Sequence, residues 1–280
     1  MVKIVVDSTC NLAEEVLQQH DIRVAPISIQ FGNDSYEEAI NINHDLFYSK
    51  IEELQIIPTT SQPTPAWFAR YYQEIADAGH QVLVITITSE HSGTYQSAML
   101  AKDMAPQADV EVFDSRSISL GTGWMVLEAA RLAAAGKARP DILARLDHIR
   151  DHSHLFLTPA TLKYLQMSGR VGKLQGALGS ILNLKPIITL KNGVLEAGEN
   201  VRTRAKAVDR LLDLLEAALG TCDPVNVASI HARVPEEGHD LLDRMRARLN
   251  VREALICDLV CSLAVHGGPG VVGVYGYPVG

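Results

Sequence analysis

Four short stretches of small polar residues carry most of the chemistry this chain offers: Asp7-Ser8-Thr9, Thr60-Ser61-Gln62-Pro63-Thr64-Pro65, Ser92-Gly93-Thr94 and Asp114-Ser115. Asp7, Ser92 and Asp114 each come after an apolar run, at Val2–Val6, Val82–Thr88 and Val110–Phe113. Strands that end in polar turns and open into helices read this way. In an open parallel sheet such turns gather along the carboxyl edge, where ligands bind. Their residues are hydroxyls and small groups, without a cluster of acids, bases or metal ligands, so no catalytic residue and no metal ligand is assigned. The chemistry that suits them is holding an anion.

Each candidate has a bland reading beside the functional one. Ser92 binds an anion with the help of a helix dipole, or it caps the helix. Thr60 and Ser61 carry the same ambiguity ahead of a helix starting near Pro65. His266 precedes Gly267-Gly268-Pro269-Gly270. It is a structural histidine, or it stands beside glycines that let a ligand approach the backbone. Arg202 and Arg204 flank the start of a helix, where a cation opposes the dipole. A bound carboxylate or phosphate compensates them, or solvent does. Ser168-Gly169-Arg170-Val171-Gly172-Lys173 is a phosphate loop or a surface loop with two cations, and it lacks Walker spacing. Gly268–Gly273 formally matches G-x-G-x-x-G, but a strand follows it where a nucleotide fold needs a helix. A serine hydrolase assembled from Ser92, His266 and Asp7 lacks the G-x-S-x-G elbow.

The elements that must position these residues alternate strand and helix over the first half. Val2–Val6, Arg23–Phe31, Val82–Thr88 and Val110–Phe113 read as strands. Leu12–Gln19, Asn43–Leu54, Pro65–Gly79, Thr94–Met104, Gly123–Ala135 and Asp141–His152 read as helices. Val82–Thr88 is an unbroken run of β-branched residues but for Leu83, as in a strand buried on both faces. This predicts a mostly parallel sheet. After about residue 152 the pattern changes. Leu155–Leu157 reads as a strand, and Asn192-Gly193 signals a hairpin between Leu184–Leu190 and Val194–Glu196. Arg204–Leu219 carries the cleanest apolar stripe, and strands follow at Val225–His231, Ala254–Val260 and Val271–Tyr277. Helices are expected at Glu236–Leu249 and up to His266. The expected fold class is α/β with two α/β domains, 1–152 and 153–280.

The chain has 280 residues and a formal charge of −8, which argues against a nucleic-acid partner. From Ser153 to Leu195 there is no acid, and Lys163, Arg170, Lys173, Lys185 and Lys191 give that stretch a charge of +5. No apolar stretch reaches the roughly 20 residues of a membrane span, and none resembles a signal peptide. A cytoplasmic protein, not an integral membrane protein, is expected. Cys10, Cys222, Cys257 and Cys261 form no C-x-x-C pair and read as buried reduced thiols.

Taken together these motifs resemble the DegV family of bacterial fatty-acid-binding proteins. The matching pieces are Asp7-Ser8-Thr9, Pro58-Thr59-Thr60-Ser61-Gln62-Pro63, Ser92-Gly93-Thr94-Tyr95-Gln96-Ser97-Ala98, Asp114-Ser115, Ser168-Gly169-Arg170-Val171, Leu184-Lys185-Pro186, Val201-Arg202-Thr203 and His266-Gly267-Gly268-Pro269-Gly270. The resemblance implies two α/β domains with a ligand cleft between them, holding a long-chain fatty acid such as palmitate and no other cofactor. Thr60, Ser61 and Ser92 would hold its carboxylate, with Arg202 and His266 beside it. It also implies a dihydroxyacetone-kinase-like fatty acid kinase that phosphorylates the carboxylate for phospholipid synthesis. Arg170, Lys173 and Lys163 are then candidates for docking that kinase. The alternatives are a serine-dependent acyl hydrolase or transferase using Ser92, and a lipid-sensing regulator.

Overall fold

The β-branched runs of the first half form a four-stranded parallel sheet. It belongs to the first of two units in a computed structural model that describes residues 1–170 and 184–280. The first unit is Met1–Arg150 together with Val260–Ser262, and the second is Asp151–Leu259 with Leu263–Gly280. Lys173 lies outside the described residues.

In chain order the first unit contains β1 (Val2–Asp7), α1 (Glu14–Gln19), β2 (Arg23–Ala25), β3 (Ser28–Phe31), β4 (Asp34–Glu37), α2 (His44–Leu54) and β5 (Thr59–Ser61). It continues with α3 (Pro65–Asp77), β6 (Gln81–Thr86), α4 (Thr94–Met104), β7 (Val110–Asp114) and α5 (Leu120–Ala134), and α6 (Arg139–His152) closes it. The parallel sheet has the order β2-β1-β6-β7. The chain adds β2 on one side of β1 and then crosses to β6 on the other. The carboxyl ends of β1 and β6 therefore flank a switch point, where open α/β sheets bind ligands. Five of the six β6 residues are buried, because α3 and α4 cover one face of the sheet and α5 contacts the strands as well. Phe68, Tyr72, Val5, Val82 and Val84 form the centre of one core cluster.

Two expectations are corrected here. Arg23–Phe31 is not one strand: the chain breaks at Pro26-Ile27, β2 joins the parallel sheet, and β3 joins an antiparallel sheet of order β4-β3-β5. Proline has no N–H for the ladder and marks the break. Thr60 and Ser61 are not helix caps. They lie in β5, and the residue that precedes α3 is Thr64, whose side chain makes no cap bond.

The second unit contains β8 (His154–Thr158), α7 (Lys163–Met167), β9 (Lys185–Lys191), β10 (Val194–Val201), α8 (Arg204–Leu219), β11 (Val225–His231), α9 (Pro235–Arg248) and β12 (Val251–Asp258). It ends with most of α10 (Cys261–Gly267) and with β13 (Val272–Pro278). The sheet order is β10-β9-β8-β13-β11-β12, with β11 and β12 parallel and the other pairs antiparallel. The expected hairpin turns at Asn192 and Gly193, both at positive φ (49° and 82°), as a type I′ turn requires. Val208, Leu211, Leu212 and Leu215 of α8 pack on Val225, Val227, Val272 and Val274. Cys222 departs from expectation. It is exposed in the turn after α8, while Cys10 and Cys261 are buried and Cys257 is half-buried.

Candidate functional site

The carboxyl edge of the parallel sheet is largely spent on itself. Asp7 is fully buried, and its Oδ1 accepts the Thr9 amide at 3.0 Å and the Thr9 hydroxyl. Its Oδ2 accepts the Ile87 amide at 2.8 Å, which stitches the end of β1 to the end of β6. Burial raises the Asp7 pKa against the pull of these donors. The hydrogen-bond partners of Asp7 are Thr9 and Ile87, and no histidine is among them, so Asp7 orients no base for the triad reading. Asp114 is used in the same way. It accepts the Ser89 hydroxyl at 2.6 Å, the Ser89 amide at 3.2 Å and the Arg116 amide at 2.9 Å.

Ser92 behaves differently. It does not end a strand, since β6 stops at Thr86. Nor is it the capping residue of α4, which is Gly93 and makes no side-chain bond. Its Oγ accepts the Thr94 amide at 3.3 Å and lies 2.8 Å from the Thr94 hydroxyl. No carboxylate or imidazole stands among these partners, so among the described residues no base in hydrogen-bond reach takes a proton from Ser92. The Thr60–Gln62 stretch runs past the same turn. A Cβ added at Gly93 would come within 2.8 Å of Gln62 Nε2, so the Gln62 side chain lies directly against this turn. The structure thus brings two of the sequence-predicted stretches together within the first unit.

Adjacent residues of a strand face opposite ways. Thr60 pairs with Ile29, which is fully buried, and is itself half-buried. Thr59 and Ser61 are exposed on the other face, each reaching Gln30 Oε1 at a long 3.4 and 3.5 Å. The hydroxyls of Thr60 and Ser61 therefore do not converge on one point.

Glu38 was missed by the sequence reading. Its side chain is buried just after β4, and it receives the Ser8 hydroxyl at 2.7 Å and the Ser262 amide at 2.7 Å, as well as the Ser262 hydroxyl. Ser8 in turn accepts the Ile27 amide at 3.0 Å. Burial raises the Glu38 pKa more strongly than these donors lower it. The neighbouring Cys10 thiol is pushed up to about 12 by burial, which makes it a poor nucleophile. Glu38, Ser8 and Cys10 border an open cavity of about 660 Å³ that also reaches Leu17, Ile42 and Tyr71. Thr60, Ser61 and Ser92 do not line it. Local sequence holds no signal for Glu38, because its partner Ser262 is 224 residues away.

In the second unit His266 is half-buried in the last turn of α10. Two of the glycines after it pack closely against the second unit. A Cβ on Gly268, where φ is +75°, would come within 2.2 Å of the Tyr164 ring, and one on Gly270 would meet Ala160 at 2.8 Å. Arg202 is exposed before Thr203, which caps α8 by accepting the Lys206 amide. Arg204 is paired within the second unit: Glu237 lies 2.9 Å from its Nε and its Nη1 donates to the Thr158 carbonyl at 3.2 Å. Lys163 is exposed at the start of α7, whereas the Arg170 guanidinium folds back onto the Ser168 carbonyl at 2.6 Å.

A family model described as DegV, an uncharacterised protein family, matches residues 1–279. The chain belongs to the DegV family. Protein DegV of Bacillus subtilis is 31% identical over 274 residues, covering 98% of both chains. A DegV family protein from Thermus thermophilus, described by its fatty acid binding, superposes with a TM-score of 0.94 at 34% identity, covering 99% of both chains. A stearic acid-binding protein from Eubacterium ventriosum superposes at 0.92 with 28% identity, covering 99% of this chain and 98% of that one. The DegV fold accounts for both units, including the mixed second sheet. Among the described residues no helix is long and apolar enough to cross a membrane.

Proposed function

We propose that this protein binds a long-chain fatty acid and presents its carboxylate to a separate kinase. The product is an acyl-phosphate that enters phospholipid synthesis. One observation carries the binding half: the Ser92 hydroxyl has Thr94 and no acid or base among its partners, in a turn whose Gly93 packs against the Gln62 side chain just after β5. The fatty-acid-binding relatives of the same fold support it. Thr60 and Ser92 hold the carboxylate. Ser61, on the opposite face of its strand, contributes through its main chain. Arg202 and His266 lie beside the head group, and the chain is a carrier with no catalytic residue of its own. A buried carboxylate needs several donors, and hydroxyls supply them without a competing charge. At about 0.8 kcal/mol per CH₂, a long acyl tail such as that of palmitate brings on the order of 10 kcal/mol before the costs of binding. Affinity then resides in the tail, and the head group fixes position.

The kinase is of the dihydroxyacetone-kinase-like class, and both proteins work in the cytoplasm. Lys163, Arg170 and Lys173 steer it, and residues 1–152 and 153–280 act as two domains. The acyl-phosphate carries more negative charge than the carboxylate, so Arg202 and His266 favour the transfer step over binding. Mass spectrometry of lipid extracted from the purified protein tests the core of the reading. One non-covalent fatty acid per chain is expected. A lipid-free protein that takes up no labelled palmitate sinks it.

A further inference from the structure

The direction of one proton at the Ser92 turn follows from burial. The Thr94 side chain is fully buried, and Ser92 Oγ, at 2.8 Å, is the partner of its hydroxyl among the described residues. A buried hydroxyl proton needs an acceptor. If Ser92 were the donor, the Thr94 proton would be left inside the protein without one. Thr94 therefore donates and Ser92 accepts. Ser92 Oγ already receives the Thr94 amide at 3.3 Å. Two hydrogens arriving at one hydroxyl oxygen occupy both of its lone pairs. The proton of Ser92 itself must then point away from Thr94, and Ser92 is half-buried where Thr94 is closed off. Gly93 between them adds no side chain that could compete for that proton.

We propose that Thr94 is a positioning residue of the carboxylate site: its buried hydroxyl locks Ser92 as an outward donor aimed at the ligand's head group. Thr94 touches Ser92 and not the fatty acid. The same lock keeps Ser92 from acting as a nucleophile, because its proton is committed to the ligand and no base is placed to remove it. This inference rests on the fatty-acid reading, and its test keeps the two apart.

The test uses the whole chain loaded with [1-¹³C]palmitate and compares wild type, Thr94→Val, Thr94→Ser, Ser92→Ala and the double variant Ser92→Ala/Thr94→Val. Valine keeps the shape of threonine without its hydroxyl. Thr94→Val should weaken retention by roughly two- to tenfold, the scale of one neutral hydrogen bond. It should also raise the pKa of the bound carboxyl, read from the ¹³C shift, because a donor to the ionised form is lost. Thr94→Ser should restore both. In the Ser92→Ala background Thr94→Val should add nothing, as coupled neighbours require. A Thr94→Val penalty that persists without Ser92, or a Thr94→Ser variant as poor as Thr94→Val, overturns the proposal. Wild type that binds no palmitate defeats the fatty-acid reading instead. The proton direction is then read in lipid-free protein. A buried, donating Thr94 hydroxyl exchanges slowly, so its Cβ signal should split in mixed H₂O and D₂O, and a single averaged line overturns the lock.

Discussion

Asp7 and Ser92 lie at the same end of the same sheet, yet their polar atoms have opposite fates. Asp7 accepts hydrogens from Thr9 and Ile87 and is fully buried. Ser92 accepts from Thr94 and keeps a proton to give. The first arrangement closes the switch point between β1 and β6, and the second leaves a donor facing out of the fold. Small polar residues at a strand end are thus not a ligand site by composition. What separates frame from site is where each hydrogen goes.

The largest effect that tests this contrast is expected in the frame. Glu38→Ala leaves the Ser8 hydroxyl and both Ser262 donors without their acceptor, and should cost about 3–5 kcal/mol of stability in urea unfolding. A loss below about 1 kcal/mol would mean that solvent or relaxation replaces the carboxylate.

Ser92→Ala should act on the ligand first. It removes a donor to a charged group, worth about 1.5–3 kcal/mol of fatty acid affinity, and it leaves the buried Thr94 hydroxyl without its acceptor, so unfolding free energy should fall by about 1–3 kcal/mol. If retention of labelled palmitate is unchanged and stability falls, Ser92 belongs to the frame and the comparison collapses.

A smaller effect appears in the pH dependence. Glu38 has a raised pKa in the fold, so its stabilising contribution is complete below the ordinary glutamate value of 4.5 and is lost as pH rises through the raised value. Wild type should therefore lose stability relative to Glu38→Gln across that window, by about 1.4 kcal/mol per pH unit at the steepest. Asp7, also raised by burial, pushes the Glu38 pKa further up through its like charge, so the difference between the two curves belongs to the coupled pair. Parallel curves for the two proteins would contradict the assigned direction.

The smallest effect separates two neighbours. Thr60→Ala should weaken palmitate retention, while Ser61→Ala, exposed on the other face of β5, should change it less than twofold, or under about 0.5 kcal/mol. Equal losses in both would mean that the strand turns its residues otherwise than the pairing with β3 requires.

Much of the fold was legible in residues that carry their own local physics. Asn192-Gly193 turns as read, because both positions need positive φ. Asn43 accepts the Leu46 amide and starts α2 where the sequence placed it. The β-branched run around Val82–Ile85 is buried on both faces. The misses share a cause. β5 has three residues, too few to show a period of two, so Thr60 and Ser61 read as caps. Pro26 split a run that looked continuous in apolar character, and the two pieces went to different sheets. Arg204 read as a cation in want of an anion because Glu237 lies 33 positions along the chain.

By itself the sequence determined the alternation of strands and helices, the hairpin, the family and the set of hydroxyls from which a site could be made. These depend on backbone preferences and hydrophobic period, which act over a few residues. Only the tertiary structure decided which polar groups face each other. It closed Asp7 with Ile87, turned Thr60 and Ser61 to opposite faces, packed Tyr164 on Gly268 and brought Ser262 to Glu38. A hydrogen bond depends on distance and direction in space, and chain separation carries no information about either once the chain has folded.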